Sequence, residues 1–220
     1  MIADVDDGTG DGAALPEGLS TRQAARRQRV LDAALGLLEV RDYERISVRE
    51  VAESASVALA TLYHYFPSKE HLFAEALIQW ASSLGASMTN RPLTGTTPAM
   101  RVEEALLRSV RAFERRPQLA RLIGRLEMSE EAFARDVLAR LDTVTTDVYL
   151  DLLEALPPSE AVRIVRVLDA VLDSSLRAWS SGRSSIRDVR ASLSDAVALL
   201  FPDADAGSRG AHGRLRALQP

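Results

Sequence analysis

Residues 57–72 of this 220-residue chain read VALATLYHYFPSKEHL and place three aromatic rings and a histidine in four consecutive positions. Tyr63 and Tyr65 carry phenol hydroxyls, and Lys69, which follows closely, is the only lysine of the chain. Phenol and ammonium groups donate hydrogen bonds to phosphate oxygens, so this cluster is typical of a surface that holds a nucleic-acid backbone. Three successive helical residues cannot share one face, so Tyr63, His64 and Tyr65 cannot all be buried.

Other chemistry is not supported by the residues present. The chain contains no Cys, which excludes disulfides, thiolate metal sites and cysteine nucleophiles. His64 and His71 are seven residues apart and could bind a metal together, but no third ligand lies nearby, so we expect no metal and no cofactor. No Ser/His/Asp arrangement, phosphate-binding loop or carboxylate cluster of metal spacing is present. The sequence therefore does not predict an enzyme.

Net charge and hydrophobic content limit the class of protein to which this surface belongs. The net charge is -4 and 46% of the residues are hydrophobic, which is enough for a sizeable core. The acidic balance argues against wholesale coating of nucleic acid but not against a local binding surface. No apolar run approaches the ~20 residues of a membrane span, and the acidic, Gly-rich N-terminus does not resemble a secretion signal. We expect a cytoplasmic protein without membrane contact.

Short helices must position these donors. The stretch Ser47-Val48-Arg49-Glu50 has the form of a capping box and predicts a helix over about 48–54. After a tight turn, a further helix is predicted over about 58–65, and Pro67 ends it because proline disfavours helical geometry in the residue before it. Together they predict a helix-turn-helix at about 47–66, a motif whose second helix lies in the major groove of DNA.

This motif assigns chemistry to particular positions. The start of its first helix should face phosphate, where free N–H groups favour an anion, and Ser47 and Arg49 lie there. The first turn of the second helix should face the base edges. That turn consists of Ala58, Leu59, Ala60 and Thr61.

Residues 43–72 resemble the DNA-binding segment of the TetR family of bacterial transcriptional repressors. The family pattern runs Gly-Tyr, then Ser/Thr-Val/Thr-Arg-Asp/Glu-Ile-Ala, Ala-Gly-Val-Ser, Thr-Leu-Tyr-x-Tyr/His-Phe, Ser/Asn-Lys and Leu. The match covers about a quarter of the chain, in a single register. The matching residues are Tyr43, Ser47, Val48, Arg49, Glu50, Ala52, Ala55, Val57, Thr61, Leu62, Tyr63, Tyr65, Phe66, Ser68, Lys69 and Leu72.

The resemblance implies an all-α homodimer that binds a palindromic double-stranded DNA operator and is released by a small-molecule effector. Each subunit would join an N-terminal three-helix helix-turn-helix domain to a C-terminal helical domain for ligand binding and dimerisation. Residue by residue, it implies phosphate contacts from Ser47 and Arg49. It also implies base contacts from Leu59, Ala60 and Thr61, and contacts to the DNA backbone from Tyr63, Tyr65 and Lys69.

Three positions depart from the family pattern. Asp42 replaces the Gly before Tyr43, which changes little because Asp tolerates turn geometry. Ser56 replaces the turn Gly and would be strained at positive φ. Ala58 replaces the Ser or Thr that caps the second helix, at a cost of about 1 kcal/mol. With its first turn nearly apolar, we expect this helix to read thymine methyls and groove shape more than hydrogen-bond donors and acceptors.

Composition also divides the chain into segments. Residues 1–19 predict a disordered acidic tail, 20–84 the DNA-binding domain, 85–202 the ligand-binding and dimerisation domain, and 203–220 a flexible tail. The boundary rests on residues 85–98, GASMTNRPLTGTTP, which hold two Gly and two Pro.

The C-terminal segment predicts longer amphipathic helices. We expect dimerisation through two of them, at 159–181 and 184–200, as an isologous four-helix contact. The stretch VALATLYHYFPSK also resembles actinobacterial regulators of sterol and lipid breakdown, although this hint lies in the DNA-binding segment. Few lone charges accompany the large apolar residues, so we expect an apolar or amphipathic effector. The predicted pocket residues are Phe113, Leu122, Met128, Phe133, Val144, Tyr149 and Trp179.

Two alternatives stay open at the level of sequence. The first is an all-α ligand-binding or enzymatic protein whose N-terminal helices only pack and do not bind DNA. The second is a DNA-binding activator. Sequence-preferring binding to DNA separates the first from the repressor, and activation without ligand release identifies the second.

Overall fold

The computed structural model describes residues 20–202, so the tails predicted at 1–19 and 203–220 lie outside the described residues. Within this range the chain forms nine α-helices, a 3-10 turn at Tyr43–Arg45 and no strand, which confirms the all-α prediction. The helices are α1 (Thr21–Val40), α2 (Val48–Ser54), α3 (Leu59–Tyr65), α4 (Lys69–Asn90), α5 (Pro98–Arg115), α6 (Pro117–Glu127), α7 (Ala132–Leu152), α8 (Pro158–Ser180) and α9 (Ile186–Leu200).

Helices α1, α2 and α3 form the small N-terminal domain. The predicted capping box starts α2, since the Ser47 hydroxyl accepts a hydrogen bond from the Glu50 amide at 3.2 Å. In return, the Glu50 carboxylate accepts one from the Ser47 amide at 2.8 Å. Leu62 anchors α3 and is fully buried. The Tyr43 ring meets Phe73 of α4 edge-on, with ring centroids 5.2 Å apart, and this contact ties the small domain to α4.

Helix α4 is longer than the sequence predicted. Residues 85–90, predicted to belong to the inter-domain loop, continue the helix, so the loop is confined to 91–97. Gly85 lies where α4 packs on α7, and a Cβ there would come within 2.9 Å of Val148 Cγ2. The glycine permits close helix packing and does not end the helix. The predicted boundary between residues 84 and 85 therefore falls inside α4.

Prolines mark the starts of three C-terminal helices. Pro98, Pro117 and Pro158 each stand in the first turn of a helix, namely α5, α6 and α8. Proline is favoured there because its missing N–H would have no partner in the helix. Each proline thus separates two helices and starts the second.

Helices α8 and α9, predicted at 159–181 and 184–200, pack on each other; α9 also packs on α5, and α8 on α6 and α7. Ser194 of α9 donates a hydrogen bond to the Glu103 carboxylate of α5 at 2.6 Å. On the outer side of α8, Val162 and Val167 are exposed. Among residues 20–202, no helix has both the length and the apolarity that crossing a membrane requires.

Candidate nucleic-acid interface and ligand cavity

The burial pattern of α3 decides which of its residues reach solvent. Leu62 is fully buried and Phe66, just after the helix, is 1% exposed, so the opposite side of α3 faces outward. The exposed residues are Ala58, Ala60, Tyr63 and His64, whereas Leu59, Thr61 and Tyr65 are half-buried.

Two residues of α3 differ from the sequence expectation. Leu59 packs against the hydrophobic core, so only part of its side chain is available to a base. His64, which was not assigned a DNA contact, is exposed, and its ring lies edge-on to Tyr65 with centroids 5.4 Å apart. Its ring nitrogens add hydrogen-bonding capacity to a face that is otherwise apolar at Ala58 and Ala60. The sequence feature that could have indicated an exposed His64 is its place in the run YHYF, whose residues cannot all be buried.

The turn before α3 carries two of the three departures from the family pattern, Ser56 and Ala58. Ser56 has φ 53° and is the only non-glycine residue with positive φ in the described part of the chain, so it occupies the strained region. Ala58 has the extended geometry of an N-cap residue, φ -66° and ψ 142°, but makes no side-chain cap. The Thr61 amide bonds instead to the Ala58 carbonyl oxygen at 2.9 Å. The start of α3 therefore has no side-chain cap, and only backbone hydrogen bonds satisfy it.

The two predicted phosphate contacts of α2 differ in their surroundings. Ser47 is exposed, but its hydroxyl is held within the capping box by Glu50. Arg49 is exposed and forms no ion pair within residues 20–202. Its guanidinium is thus the group of this pair that is open to a phosphate.

Lys69 stands at the first position of α4 and is held by Tyr43. Its ammonium donates a hydrogen bond to the Tyr43 carbonyl oxygen at 2.6 Å and lies 4.2 Å from the centroid of the Tyr43 ring. Partial burial lowers the pKa of Lys69, against the opposing effect of Glu70 and Glu44. An ammonium has three donors, so two remain for other acceptors after the bond to Tyr43.

Ion pairs join the small domain to the C-terminal helices. Arg116, the residue before α6, bonds Glu39 of α1, with Nε 2.8 Å from the carboxylate, and Arg125 of α6 pairs with Glu44. In α4, Glu75 accepts bonds from Arg27 of α1 at 2.6 Å and from Arg140 of α7 at 2.5 Å. Both α4 and α6 therefore connect α1 and the 3-10 turn of the N-terminal domain to the rest of the fold.

A partly enclosed cavity of about 280 Å³ lies among helices α4 to α8. Its size is close to the lower end of the roughly 300–1,000 Å³ that is usual for small-molecule sites. Helix α4 contributes one wall through Trp80, Leu84, Gly85 and Met88. The same helix thus begins beside the predicted DNA-binding residues and ends at the cavity.

Of the seven predicted pocket residues, Phe113, Val144 and Tyr149 line this cavity. The structure places the other four outside it, which corrects the sequence expectation. Met128 is 86% exposed at the end of α6, and Phe133 stacks on His71 with ring centroids 3.9 Å apart. Leu122 is buried in the core and Trp179 is partly buried against it, and neither lines the cavity. Apolar character alone did not distinguish cavity from core or surface.

Polar groups also line the cavity, and of these the sequence analysis predicted only Tyr149. Ser109 and Tyr149 are buried, and their hydroxyl oxygens lie 3.3 Å apart. Burial raises the pKa of Tyr149 to about 12. Four carboxylates line the cavity as well, contributed by α6, α7 and α8; they belong to Glu127, Asp142, Asp169 and Asp173. Their helical positions gave no signal, because acidic residues on an amphipathic helix usually face solvent.

Comparison with known proteins agrees with this architecture. Residues 30–76 match the family model "Bacterial regulatory proteins, tetR family", and residues 95–200 match "Tetracyclin repressor-like, C-terminal domain". The HTH-type transcriptional repressor KstR of Mycobacterium tuberculosis is 34% identical over 187 residues, covering 84% of this chain and 85% of its own. KstR of Rhodococcus jostii is 36% identical over 191 residues, covering 86% and 88%.

Solved structures share the fold. A TetR transcriptional regulator from Rhodococcus sp. RHA1 superposes with a TM-score of 0.70 at 30% identity, covering 82% of this chain and 97% of its own. The FadR repressor of Thermus thermophilus, solved with lauroyl-CoA, superposes with a TM-score of 0.64 at 19% identity, covering 80% and 93%. The family models and the relatives together span both halves of the described chain. The chain therefore belongs to the TetR family of bacterial transcriptional regulators, which bind DNA and are not enzymes.

Proposed function

We propose that this protein is a cytoplasmic repressor that binds a palindromic operator as a homodimer and is released by a small molecule held in the cavity. The course of α4 carries the proposal, because Lys69 at its start adjoins the helix-turn-helix while Trp80 to Met88 form a cavity wall. One rigid helix thus spans both sites. The identity to two KstR repressors supports repression as the outcome.

The DNA contacts follow from exposure and chemistry. Arg49 supplies an exposed guanidinium to phosphate, with Ser47 beside it, and Tyr63, Tyr65 and Lys69 supply further donors to the backbone. The base edges meet the first turn of α3. That turn presents Ala58, Leu59, Ala60 and Thr61, whose methyl groups suit thymine methyls and groove shape.

The dimer forms through α8 and α9. Val162 and Val167 are exposed on the outer side of α8, and the exposed Arg163 and Arg166 lie between them around the helix. Asp195 is exposed on α9, so an isologous contact that sets α8 against the partner's α9 would bring opposite charges together.

Release requires that the ligand favour a domain arrangement that no longer fits two half-sites about 34 Å apart. Phe73 and Leu77 are buried in the first half of α4, which packs on α1, so a shift of α4 at the cavity would be passed through α1 to α3. The ion pairs of Arg116 and Arg125 add a second connection, through α6.

Binding to DNA tests the function directly. The full chain is titrated with duplex from its own upstream promoter and with a shuffled duplex of the same composition, at several salt concentrations. The promoter duplex should bind more tightly, with an affinity that falls steeply as salt rises because released counterions accompany each neutralised phosphate. Equal, weak binding to both duplexes at low salt would rule the repressor out.

Sedimentation tests the dimer. Val167→Glu places a charge in the proposed interface of each protomer and should give a monomer at micromolar concentration, with the helical content retained because Val167 is already exposed. Val40→Glu, at an exposed apolar site at the end of α1, is the matched control and should stay dimeric. A dimer that survives Val167→Glu would place the interface elsewhere.

A further inference from the structure

The cavity is acidic. Glu127 comes from α6, Asp142 from α7, and Asp169 and Asp173 from α8, while no Lys, Arg or His is among the lining residues. Arg177 lies close by but is engaged, since it pairs with Asp173 and, at 3.2 Å, with Glu127. Within residues 20–202, Asp142 and Asp169 have no ion-pair partner. The field inside the cavity is therefore negative.

The carboxylates repel one another; Glu127, Asp169 and Asp173 are partly shielded from water, whereas Asp142 is exposed. Burial raises the pKa of Asp169, and Asp142 and Asp173 raise it further. Burial and then Asp173 likewise raise the pKa of Glu127, against the effect of Arg177. A cation entering the cavity relieves this repulsion, whereas an anion adds to it.

The apolar part of the wall suits the same kind of ligand. The rings of Trp80 and Phe113 both line the cavity and meet edge-on with centroids 4.8 Å apart. Aromatic faces pack against an apolar body and also attract an ammonium group, and Trp is the strongest side chain in this respect.

A second polar site lies in the same cavity. Ser109 and Tyr149 are 6% and 5% exposed, and each hydroxyl carries one donor hydrogen. One donor is used in the contact between them, at 3.3 Å, and the described residues offer the other no acceptor. A buried donor without an acceptor is unfavourable, so this pair is arranged to donate to an oxygen or nitrogen of a bound molecule.

We propose that the effector is an amphipathic cation, with its apolar body against Trp80 and Phe113 and its ammonium group between Asp142 and Asp169. This ligand class rests on the proposed function, in which the cavity is the effector site. It excludes fatty carboxylates and other anionic amphiphiles as effectors, because the wall offers them no cation.

Calorimetry with three probes of equal chain length tests the charge preference. The full-length protein, without DNA, is titrated with decyltrimethylammonium, decanol and decanoate below their aggregation limits. The ammonium probe should bind, at least about tenfold more tightly than decanol, and decanoate should bind most weakly. Decanoate binding as tightly as the ammonium probe, or no binding of the ammonium probe, overturns the proposal.

Substitutions of the cavity carboxylates test whether the ammonium probe binds in the cavity. Asp169→Asn and Asp142→Asn should each weaken the ammonium probe by roughly tenfold while leaving decanol unchanged, because each removes one charge and little volume. Asp147→Asn changes an exposed acid of α7 that does not line the cavity, and it should leave both affinities unchanged. Equal weakening of both probes by Asp169→Asn would show a merely structural role and would also overturn the proposal.

The experiments distinguish a failure of the proposed repressor function from a failure of the proposed cationic ligand class. Promoter binding is measured without any probe, so its absence rejects the repressor whatever the cavity binds. If promoter DNA binds and decanoate is the tightest probe, the repressor stands and the cationic ligand class falls. If both hold, adding the ammonium probe should release promoter DNA, with Asp169→Asn requiring roughly tenfold more of it.

Discussion

Replacing Gly85 by Ala should destabilise the protein although Gly85 lies inside a helix. Alanine in a helix interior is ordinarily favoured over glycine by about 0.8–1 kcal/mol. At this position, however, the added Cβ would lie 2.9 Å from Val148 Cγ2. Carbon atoms pack best at roughly 3.5–4.0 Å, so the two helices must separate or Val148 must move.

The size of the effect follows from these two opposing contributions. Overpacking of this kind costs about 1–3 kcal/mol, and Val148 gives way poorly because its branched side chain has few rotamers. After the gain in helix propensity, the free energy of unfolding should fall by up to about 2 kcal/mol. Gly36→Ala in α1 is the matched control, because nothing lies within 4 Å of its Cβ position, and it should stabilise by up to about 1 kcal/mol.

Urea denaturation at fixed protomer concentration measures both variants, and a double-mutant cycle isolates the contact. Val148→Ala removes the methyl group that Gly85→Ala would strike, so the double variant should be more stable than the sum of the single changes by about 1–3 kcal/mol. Additive changes, or a Gly85→Ala variant as stabilised as Gly36→Ala, would refute the account of α4 packing on α7.

Three further changes test the DNA-binding domain and its connection to α7. Ser56→Gly should stabilise by about 1 kcal/mol in the same urea assay, because a side chain at φ 53° is strained and this one is exposed. Lys69→Ala should weaken promoter and shuffled DNA about equally and reduce the salt slope by about one per protomer, whereas a change in sequence preference would contradict a backbone contact. Burial alone would raise the pKa of Glu75, but Arg140 and Arg27 outweigh it and hold that pKa below the ordinary 4.5. The stability from this carboxylate is thus present above about pH 4.5 and is lost as the pH falls through the lower folded-state pKa, so Glu75→Gln should flatten the acid side of a plot of stability against pH. An unchanged acid limb in that variant would show that the ion pairs contribute nothing.

Local signals in the sequence predicted much of the DNA-binding half. The capping box at Ser47, the uncapped start at Ala58 and the stop at Pro67 each depend on residues within three or four positions, and each is found in the structure. The strain expected at Ser56 is also present, as a positive φ. Backbone preferences of this kind are set by neighbours in the chain and need no tertiary contact.

The residues that line the cavity could not be predicted from local sequence signals in the same way. Phe133, Met128 and Phe113 are all apolar. Phe133 nevertheless stacks on His71 and Met128 is exposed, so of the three only Phe113 lines the cavity. Asp169 resembles any exposed helical acid in the sequence, yet it lines the cavity. Which side of a helix meets a void depends on how several helices cross.

The sequence by itself determined an all-α chain, a helix-turn-helix and the family to which it belongs, because hydrophobic period, caps and motif spacing are properties of short stretches. Only the tertiary structure decided that α4 continues past Gly85, that Lys69 is held by Tyr43, and that unpaired carboxylates face the cavity. These features arise where residues far apart in the chain come into contact, and a local pattern carries no record of such contacts.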